Sequence, residues 1–305
     1  MMKVVFFGTP DFACESLRAV AARHDVVACV TRPDRPAGRG RKLAPSAVSE
    51  LCRELDIKVL KPETRSQMAN TVCALEADAF AVVAYGVILP GHVLEIPRQG
   101  CFNLHASLLP KYRGAAPINW AIVSGETKTG VSVIRMTEEM DAGPVLGTAE
   151  TEIGRDETAG ELFVRLSKLG AELLADTLDA VEAGTAVSIP QDPKGVTLAP
   201  MLTKRDGHMD WDRTPEEIRN FVRGMTPWPG AHTLLPMEKG ELTVTILEVK
   251  TANGSSSHPG KILSAADAGI EIACREGSVL LTKVKPAGKR EMTAAEFLRG
   301  NALAR

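Results

Sequence analysis

An asparagine and a histidine stand in this sequence where side chains can meet a ligand. Asn103 and His105 are two residues apart in a short apolar segment, 101–105, that predicts a buried strand. Both side chains therefore project from the same face of that strand. An amide donates hydrogen bonds, and an imidazole exchanges protons near neutral pH. Polar groups at the carboxyl end of a parallel strand lie where open α/β sheets bind ligands.

The alternative for His105 is a core histidine whose ring is satisfied by a neighbouring group. The adjacent Asn103 and the turn Ser107-Leu108-Leu109-Pro110 favour a ligand site. Asp141 follows the next predicted strand, 131–136, and could approach His105, although without other evidence an ordinary turn-forming aspartate is the favoured interpretation. The turn at Gly8 carries only one of the glycines of a dinucleotide fingerprint, so a dinucleotide site is not expected there.

Positive charge is concentrated in one short segment. Residues 32–42 contain five basic side chains and one acidic one, so this segment carries +4 in a chain whose net charge is −2. A basic loop on an otherwise acidic protein indicates a local contact with a polyanion. A solvated loop without a partner is the competing interpretation, and charge alone does not separate the two.

The order of strand and helix signals predicts the fold class. Strands expected at 3–7, 25–30, 57–60, 79–84, 101–105 and 131–136 alternate with helices, and the first helix is expected to open at Thr9-Pro10. This alternation predicts an α/β domain with a Rossmann-like, doubly wound, largely parallel sheet over residues 1–189. Residues 190–207 are polar and proline-rich and predict a linker. Five short strands in residues 208–305 predict a small C-terminal β-barrel of the OB type.

Composition excludes several classes of protein. The 305 residues predict two domains, and no apolar run approaches the roughly 20 residues that span a bilayer. The six cysteines are widely spaced without a Cys-x-x-Cys pair, which indicates reduced core residues rather than a disulfide framework or a zinc site.

Along nearly its whole length the chain resembles the methionyl-tRNA formyltransferase family. The matching blocks are Gly8-Thr9-Pro10-Asp11-Phe12-Ala13, Pro33-Asp34-Arg35-Pro36-Ala37-Gly38-Arg39-Gly40, Val83-Ala84-Tyr85-Gly86, Asn103 through Gly114 and on to Pro117, Asp141, Pro227-Trp228-Pro229, and Lys285-Pro286-Ala287-Gly288-Lys289. The Asn, His, Ser-Leu-Leu-Pro and Asp elements are shared by folate-dependent formyltransferases. The basic loop and the second domain point to tRNA.

The resemblance implies a formyl donor, 10-formyltetrahydrofolate, and an acceptor, the amino group of initiator methionyl-tRNA. It implies that Asn103 donates to the oxyanion, that His105 donates or exchanges a proton, and that Asp141 orients His105. The expected folate contacts are Ser107, Leu108, Leu109, Pro110, Val83, Ala84, Tyr85 and Gly86. The expected tRNA contacts are Arg35, Arg39, Arg41, Lys42, Lys204, Arg205 and Lys289.

The resemblance also implies a cytoplasmic, monomeric enzyme of translation initiation that uses no metal and no membrane. The nearest rival keeps the chemistry but changes the acceptor to an amino sugar nucleotide or a purine precursor, which the basic loop disfavours. A folate hydrolase, with water as the acceptor, is a second rival. A noncatalytic RNA-binding protein is the third, and Asn103, His105 and Asp141 argue against it.

Overall fold

The structure, a computed structural model, describes residues 1–37 and 42–304, and it leaves the side chains of Ala37 and Lys42 undescribed. The chain forms two compact units, and both are discontinuous in sequence. The first unit comprises Met1–Pro117, Lys128–Glu152 and Phe163–Ala199. The second unit comprises Ile118–Thr127, Ile153–Leu162 and Pro200–Arg305.

Strands and helices alternate through the first 199 residues. The strands are β1 (Lys3–Gly8), β2 (Asp25–Val30), β3 (Arg35–Ala37), β4 (Lys42–Ala44), β5 (Val59–Leu60), β6 (Ala79–Val83), β7 (Gly100–His105), β8 (Arg113–Gly114), β9 (Lys128–Arg135), β10 (Val145–Glu152) and β11 (Leu198–Ala199). The helices are α1 (Phe12–Arg23), α2 (Ala47–Glu54), α3 (Arg65–Cys73), α4 (Gly91–Leu94), α5 (Pro117–Val123) and α6 (Ala159–Glu182).

The first unit is built on a seven-stranded sheet in the order β10-β9-β7-β6-β1-β2-β5. Strands β5, β2, β1, β6 and β7 pair in parallel, and β9 and β10 add an antiparallel edge. Every residue of β6 is buried, as expected of a strand covered on both faces. The doubly wound, largely parallel sheet predicted from the sequence is confirmed.

The order of the strands reverses between β1 and β6, because β2 lies on one side of this pair and β7 on the other. Ligands bind at such a switch point, outside the carboxyl ends of the strands. The prediction that the first helix opens at Thr9-Pro10 is wrong. Helix α1 begins at Phe12 after Asp11, and the Thr9 hydroxyl instead donates to the Tyr85 carbonyl across the switch point, at 3.2 Å.

The second unit carries a six-stranded antiparallel sheet. Its strands are β12 (His232–Met237), β13 (Gly240–Ala252), β14 (Ile262–Ala266), β15 (Gly269–Cys274), β16 (Gly277–Pro286) and β17 (Met292–Thr293), in the order β12-β13-β16-β15-β14 with β17 beside β16. Its helices α7 (Pro215–Gly224) and α8 (Ala294–Gly300) both begin with a capping box. The predicted C-terminal β domain is confirmed as this sheet.

The boundaries of the two units differ from those of the three stretches predicted from the sequence, 1–189, 190–207 and 208–305. Residues 190–199 belong to the first unit, where β11 pairs in parallel with β8. Residues 153–162 belong to the second unit, where Arg219 binds Asp156 at 2.6 Å. The assignment of separate roles to a catalytic domain, a linker and a tRNA-binding domain stays a prediction. Within the described residues, no helix has both the length and the apolar character that crossing a membrane requires.

Candidate active site

Strand β7 carries both polar residues of the predicted site. Asn103 lies beside Val82 of β6 and Ile134 of β9, and His105 lies opposite Ser132 of β9. His105 is 6 % exposed, whereas Asn103 is only half-buried. Within the part of the chain that the structure describes, the Asn103 amide has no hydrogen-bond partner. Its two N–H groups are therefore available to a ligand.

The two nitrogens of the His105 ring face two different groups. Its Nε2 lies 2.9 Å from the backbone carbonyl of Tyr112. A carbonyl only accepts hydrogen bonds, so this contact assigns a proton to Nε2. Its Nδ1 lies 3.7 Å from Oδ2 of Asp141, which is ion-pair range but longer than a hydrogen bond. A positive charge on the ring would thus face a carboxylate.

Asp141 sits in a turn with φ +54°, the left-handed region that few non-glycine residues adopt. Its Oδ2 accepts a hydrogen bond from the Gly114 backbone N–H at 2.8 Å. Gly114 has φ +123°, and a Cβ at this position would come within 2.5 Å of the Ala199 carbonyl oxygen. Only glycine fits this close approach, which brings the backbone donor to the carboxylate.

A glutamine connects the segments that carry these contacts. The side-chain oxygen Oε1 of Gln191 accepts hydrogen bonds from Nε and Nη2 of Arg113 at 3.1 and 2.8 Å. Its amide nitrogen donates to the backbone carbonyls of Asp141 and Gly143, each at 2.7 Å. The sequence interpretation missed Gln191 because it lies in the polar stretch predicted as a linker. It missed the Tyr112 carbonyl because a backbone group carries no residue-type signal.

The Ser107-to-Pro110 turn is held by a buried hydroxyl pair. The Ser107 hydroxyl donates to the Lys111 carbonyl at 2.6 Å. The Ser132 hydroxyl donates to the Ser107 carbonyl at 2.7 Å and accepts from the Leu109 N–H at 3.0 Å. The Ser107 hydroxyl is therefore occupied within the turn itself. The half-buried Leu108 and Pro110 are the side chains of this turn that retain exposed surface.

The loop after β6 offers backbone rather than side chains. Ala84 and Gly86 are exposed and have φ +46° and +76°. The Tyr85 side chain is buried, where its ring packs edge-on against Phe7 at 5.4 Å, and burial raises the pKa of its phenol. Left-handed residues cluster at functional sites. Ala84 and Gly86 thus present main-chain groups at the switch point, whereas Val83 and Tyr85 are buried.

The predicted tRNA contacts are dispersed over both units. Arg35 is exposed on β3 in the first unit, and Lys204, Arg205 and Lys289 are exposed in the second. Arg39 and Arg41 lie outside the described residues, as does the side chain of Lys42. Strands β3 and β4 pair antiparallel with Arg35 opposite Ala44.

A half-buried amide, an imidazole and a carboxylate meet at the carboxyl end of β7, and these are groups that an acyl-transfer site can use. Residues 2–178 match the formyl transferase family, and residues 201–302 match the formyl transferase C-terminal domain. The chain belongs to the formyl transferase family.

Methionyl-tRNA formyltransferases stand among its relatives. The protein of that name from Geobacter sulfurreducens is 45 % identical over 302 residues, which cover 98 % of this chain and 94 % of the relative. The one from Xanthomonas oryzae pv. oryzae is 46 % identical over 301 residues, which cover 97 % of each chain.

Solved structures of more distant proteins share the fold. An N-formyltransferase from Helicobacter canadensis, in complex with folinic acid and dTDP-3-aminofucose, has a TM-score of 0.67 at 17 % identity and covers 95 % of this chain and all of its own. HypX from Aquifex aeolicus in complex with tetrahydrofolic acid has a TM-score of 0.63 at 18 % identity, covering 97 % of this chain and 47 % of its own.

Proposed function

We propose that this protein transfers the formyl group of 10-formyltetrahydrofolate to the amino group of methionine on initiator tRNA. The observation that carries the proposal is the identity with methionyl-tRNA formyltransferases over nearly the whole chain. The grouping of Asn103, His105 and Asp141 at the carboxyl end of β7 supports the same chemistry.

The reaction begins when the methionine nitrogen attacks the formyl carbon. A C–N bond forms, and the carbonyl oxygen becomes an oxyanion. The Asn103 amide, which has no hydrogen-bond partner among the described residues, donates to this oxygen as its negative charge develops. The bond between the formyl carbon and the folate nitrogen then breaks, and the proton released by the attacking amine ends on that leaving nitrogen.

His105 carries positive charge and transfers protons in this scheme. Its Nε2–H is held by the Tyr112 carbonyl, and its Nδ1 faces Asp141, so the carboxylate stabilises the ring when it carries a positive charge. The ring can therefore take up a proton during the attack and release it during collapse of the intermediate. Asp141 acts through His105.

The donor is proposed to lie between the loop after β6 and the Ser107-to-Pro110 turn. Exposed backbone at Ala84 and Gly86 suits the polar edge of a pterin, and Leu108 and Pro110 offer apolar surface. Residues 1–189 would form the catalytic domain and 190–207 a linker. Residues 208–305 would bind tRNA with Arg35 and the basic loop through Arg39, Arg41 and Lys42.

The proposal also covers the location of the protein, its oligomeric state, its partners and its need for a metal. We propose that the protein acts in the cytoplasm, where initiator tRNA is charged, and that it acts as a monomer. Its partners are then the tRNA and the folate, with no membrane. We also propose that the transfer uses no metal, because Asn103, His105 and Asp141 supply the hydrogen-bond donor, the proton acceptor and the countercharge that the reaction requires.

A formylation assay tests the proposed function. Purified protein is incubated with 10-formyltetrahydrofolate and either initiator or elongator methionyl-tRNA, and formyl-methionine is scored on each. We expect formylation of the initiator tRNA with a strong preference over the elongator. Formylation of an amino sugar nucleotide or a purine precursor instead would contradict the proposed acceptor. Loss of the formyl group from folate without any tRNA would identify a hydrolase.

A further inference from the structure

The Gln191 side chain uses its full hydrogen-bonding capacity on one small region. Its oxygen accepts two hydrogen bonds from the Arg113 guanidinium, and its nitrogen donates one each to the Asp141 and Gly143 carbonyls. All four donor–acceptor distances lie between 2.7 and 3.1 Å. An amide has two donors and an oxygen with two lone pairs, so no capacity remains for a ligand.

These four bonds join the two segments that contact the His105 ring. Arg113 lies between Tyr112, whose carbonyl binds Nε2, and Gly114, whose N–H binds the Asp141 carboxylate. The other two bonds hold the backbone of Asp141 itself and of Gly143 two residues further along. A shift of either segment therefore changes the position of a group that faces His105.

Thr197, which lies in the same polar stretch as Gln191, also holds the segment 112–114. The Thr197 hydroxyl accepts from the Tyr112 N–H at 2.8 Å, and the Thr197 carbonyl accepts from the Arg113 N–H at 2.9 Å. The Tyr112 backbone has φ +60°, a conformation that needs support from its surroundings in a non-glycine residue. Residues 191–199 thus hold the segment 112–114 through side chain and main chain.

We propose that Gln191 is a positioning residue for catalysis, which fixes the Tyr112 carbonyl and the Asp141 carboxylate against the two nitrogens of His105. The proposal rests on the proposed function for its kinetic test. Gln191 lies in the stretch 190–207 that was predicted as a linker, so this stretch would help to set the geometry of the active site.

The isosteric variant Gln191→Glu separates the two halves of the contact. A glutamate still accepts from Arg113, and as an anion it binds a guanidinium more strongly than an amide does. It cannot donate to the Asp141 and Gly143 carbonyls, and its second oxygen would instead face them. The Asp141 loop is therefore released while the Arg113 contact remains.

We expect Gln191→Glu to lower kcat about 10- to 100-fold, since small displacements of catalytic groups reduce rates on this order. We expect KM for the tRNA and for the donor to change less than about threefold, because Gln191 has no capacity left for a substrate. The matched control is Gln67→Glu: the oxygen of this exposed glutamine accepts from the Glu63 N–H at 2.8 Å, and a glutamate can accept the same hydrogen bond. We expect wild-type kinetics from this control.

The second readout is the pair of ¹⁵N chemical shifts of the His105 ring, assigned by their loss in His105→Gln. These shifts report which nitrogen carries the proton, and a purely structural role for Gln191 would not move them. We expect them to change in Gln191→Glu and to stay in Gln67→Glu. A lower kcat of Gln191→Glu with unchanged His105 ring shifts would overturn the proposal. Wild-type kcat together with wild-type ring shifts in this variant would overturn it as well.

Should Gln191→Glu fail to fold, Gln191→Met takes its place, because it removes the amide donors and acceptor at nearly constant volume. Wild-type kcat and ring shifts in folded Gln191→Met would then overturn the proposal. The ring shifts need no substrate, so they test the positioning role even if the wild-type protein does not formylate methionyl-tRNA.

Discussion

At the residue scale, Asn103 and His105 occupy one face of one strand but have different surroundings. His105 is buried and held by Tyr112 and Asp141, whereas the half-buried Asn103 has no hydrogen-bond partner among the described residues. A polar group kept ready without a partner suits a transition-state oxygen that exists only briefly. We therefore propose that the asparagine is the residue whose side chain most directly meets the reacting atoms.

We expect Asn103→Asp to lower kcat about 100- to 1,000-fold, the range typical of removing an oxyanion donor. Aspartate has the same size, but it loses both N–H donors and brings an anion to the place where negative charge develops. The KM for the donor should change little. Steady-state kinetics on initiator methionyl-tRNA measure both values.

The matched control is Asn253→Asp, an exposed asparagine of the second unit, for which we expect wild-type rates. Near-normal turnover by folded Asn103→Asp would remove Asn103 from the mechanism. The remaining role in charge stabilisation would then have to come from His105.

At the element scale, the end of α1 is held against α6 by charged groups. Asp176, Asp179 and Glu182 are spaced three residues apart on one side of α6, and Arg23 binds the first two. The His24 side chain is fully buried, with Nε2 3.2 Å from Asp179 and Nδ1 3.8 Å from Glu182. Neither ring nitrogen makes a hydrogen bond of good geometry.

Burial lowers the pKa of His24, and the nearby Asp179 and Glu182 carboxylates oppose this effect without reversing it, while Arg23 and the Met1 amino group act with burial. In the unfolded chain His24 takes up a proton near its ordinary pKa of about 6.5. In the folded protein it does so only at lower pH. The stability associated with neutral His24 is thus present above about pH 6.5 and is lost as the pH falls towards the folded pKa.

We expect the free energy of unfolding to fall more steeply below about pH 6.5 in the wild type than in His24→Asn, because the variant has no group to protonate there. Urea unfolding at a series of pH values measures the two slopes. His92→Asn, at an exposed histidine of α4, is the control and should keep the wild-type slope. Parallel slopes for His24→Asn and wild type would show that His24 does not contribute.

At the scale of the whole molecule, the two units cannot be separated by one cut. The second unit includes residues 118–127 and 153–162, where Asn119 donates to the Gly224 carbonyl at 2.8 Å and Asp156 binds Arg219. A fragment that ends at Ala199 keeps these pieces without their partners, and one that starts at Pro200 lacks them. Charge reversal in the intact chain is therefore the sharper test of tRNA binding.

We expect the combined variant Lys204→Glu, Arg205→Glu and Lys289→Glu to raise KM for initiator methionyl-tRNA at least about 10-fold while KM for the donor stays constant, because phosphate contacts dominate affinity for nucleic acids. The slope of log affinity against log salt should fall by about one for each phosphate that the variant no longer neutralises. Lys58→Glu, an exposed lysine of the first unit, is the control. An unchanged tRNA KM and salt slope would place the tRNA on other surfaces.

The features that the sequence by itself determined are local ones. Period-two alternation places Asn103 and His105 on one face whatever the rest of the chain does, and the structure has both on β7. Thr214 and Glu217, which are three residues apart, form a capping box at the start of α7. Continuous apolar runs indicated the buried parallel strands, but the half-exposed edge strand β10 was not predicted, since its burial depends on pairing with β9.

Only the tertiary structure decided which groups surround His105. Gln191 and Arg113 are 78 residues apart, and the pairing of β11 with β8 brings residues 190–199 to the site. The carbonyl that binds Nε2 belongs to the backbone of Tyr112 and depends on its φ of +60°. Residue types and spacing report local geometry, whereas contacts between distant backbone segments arise only when the whole sheet assembles, so no local pattern could have indicated them.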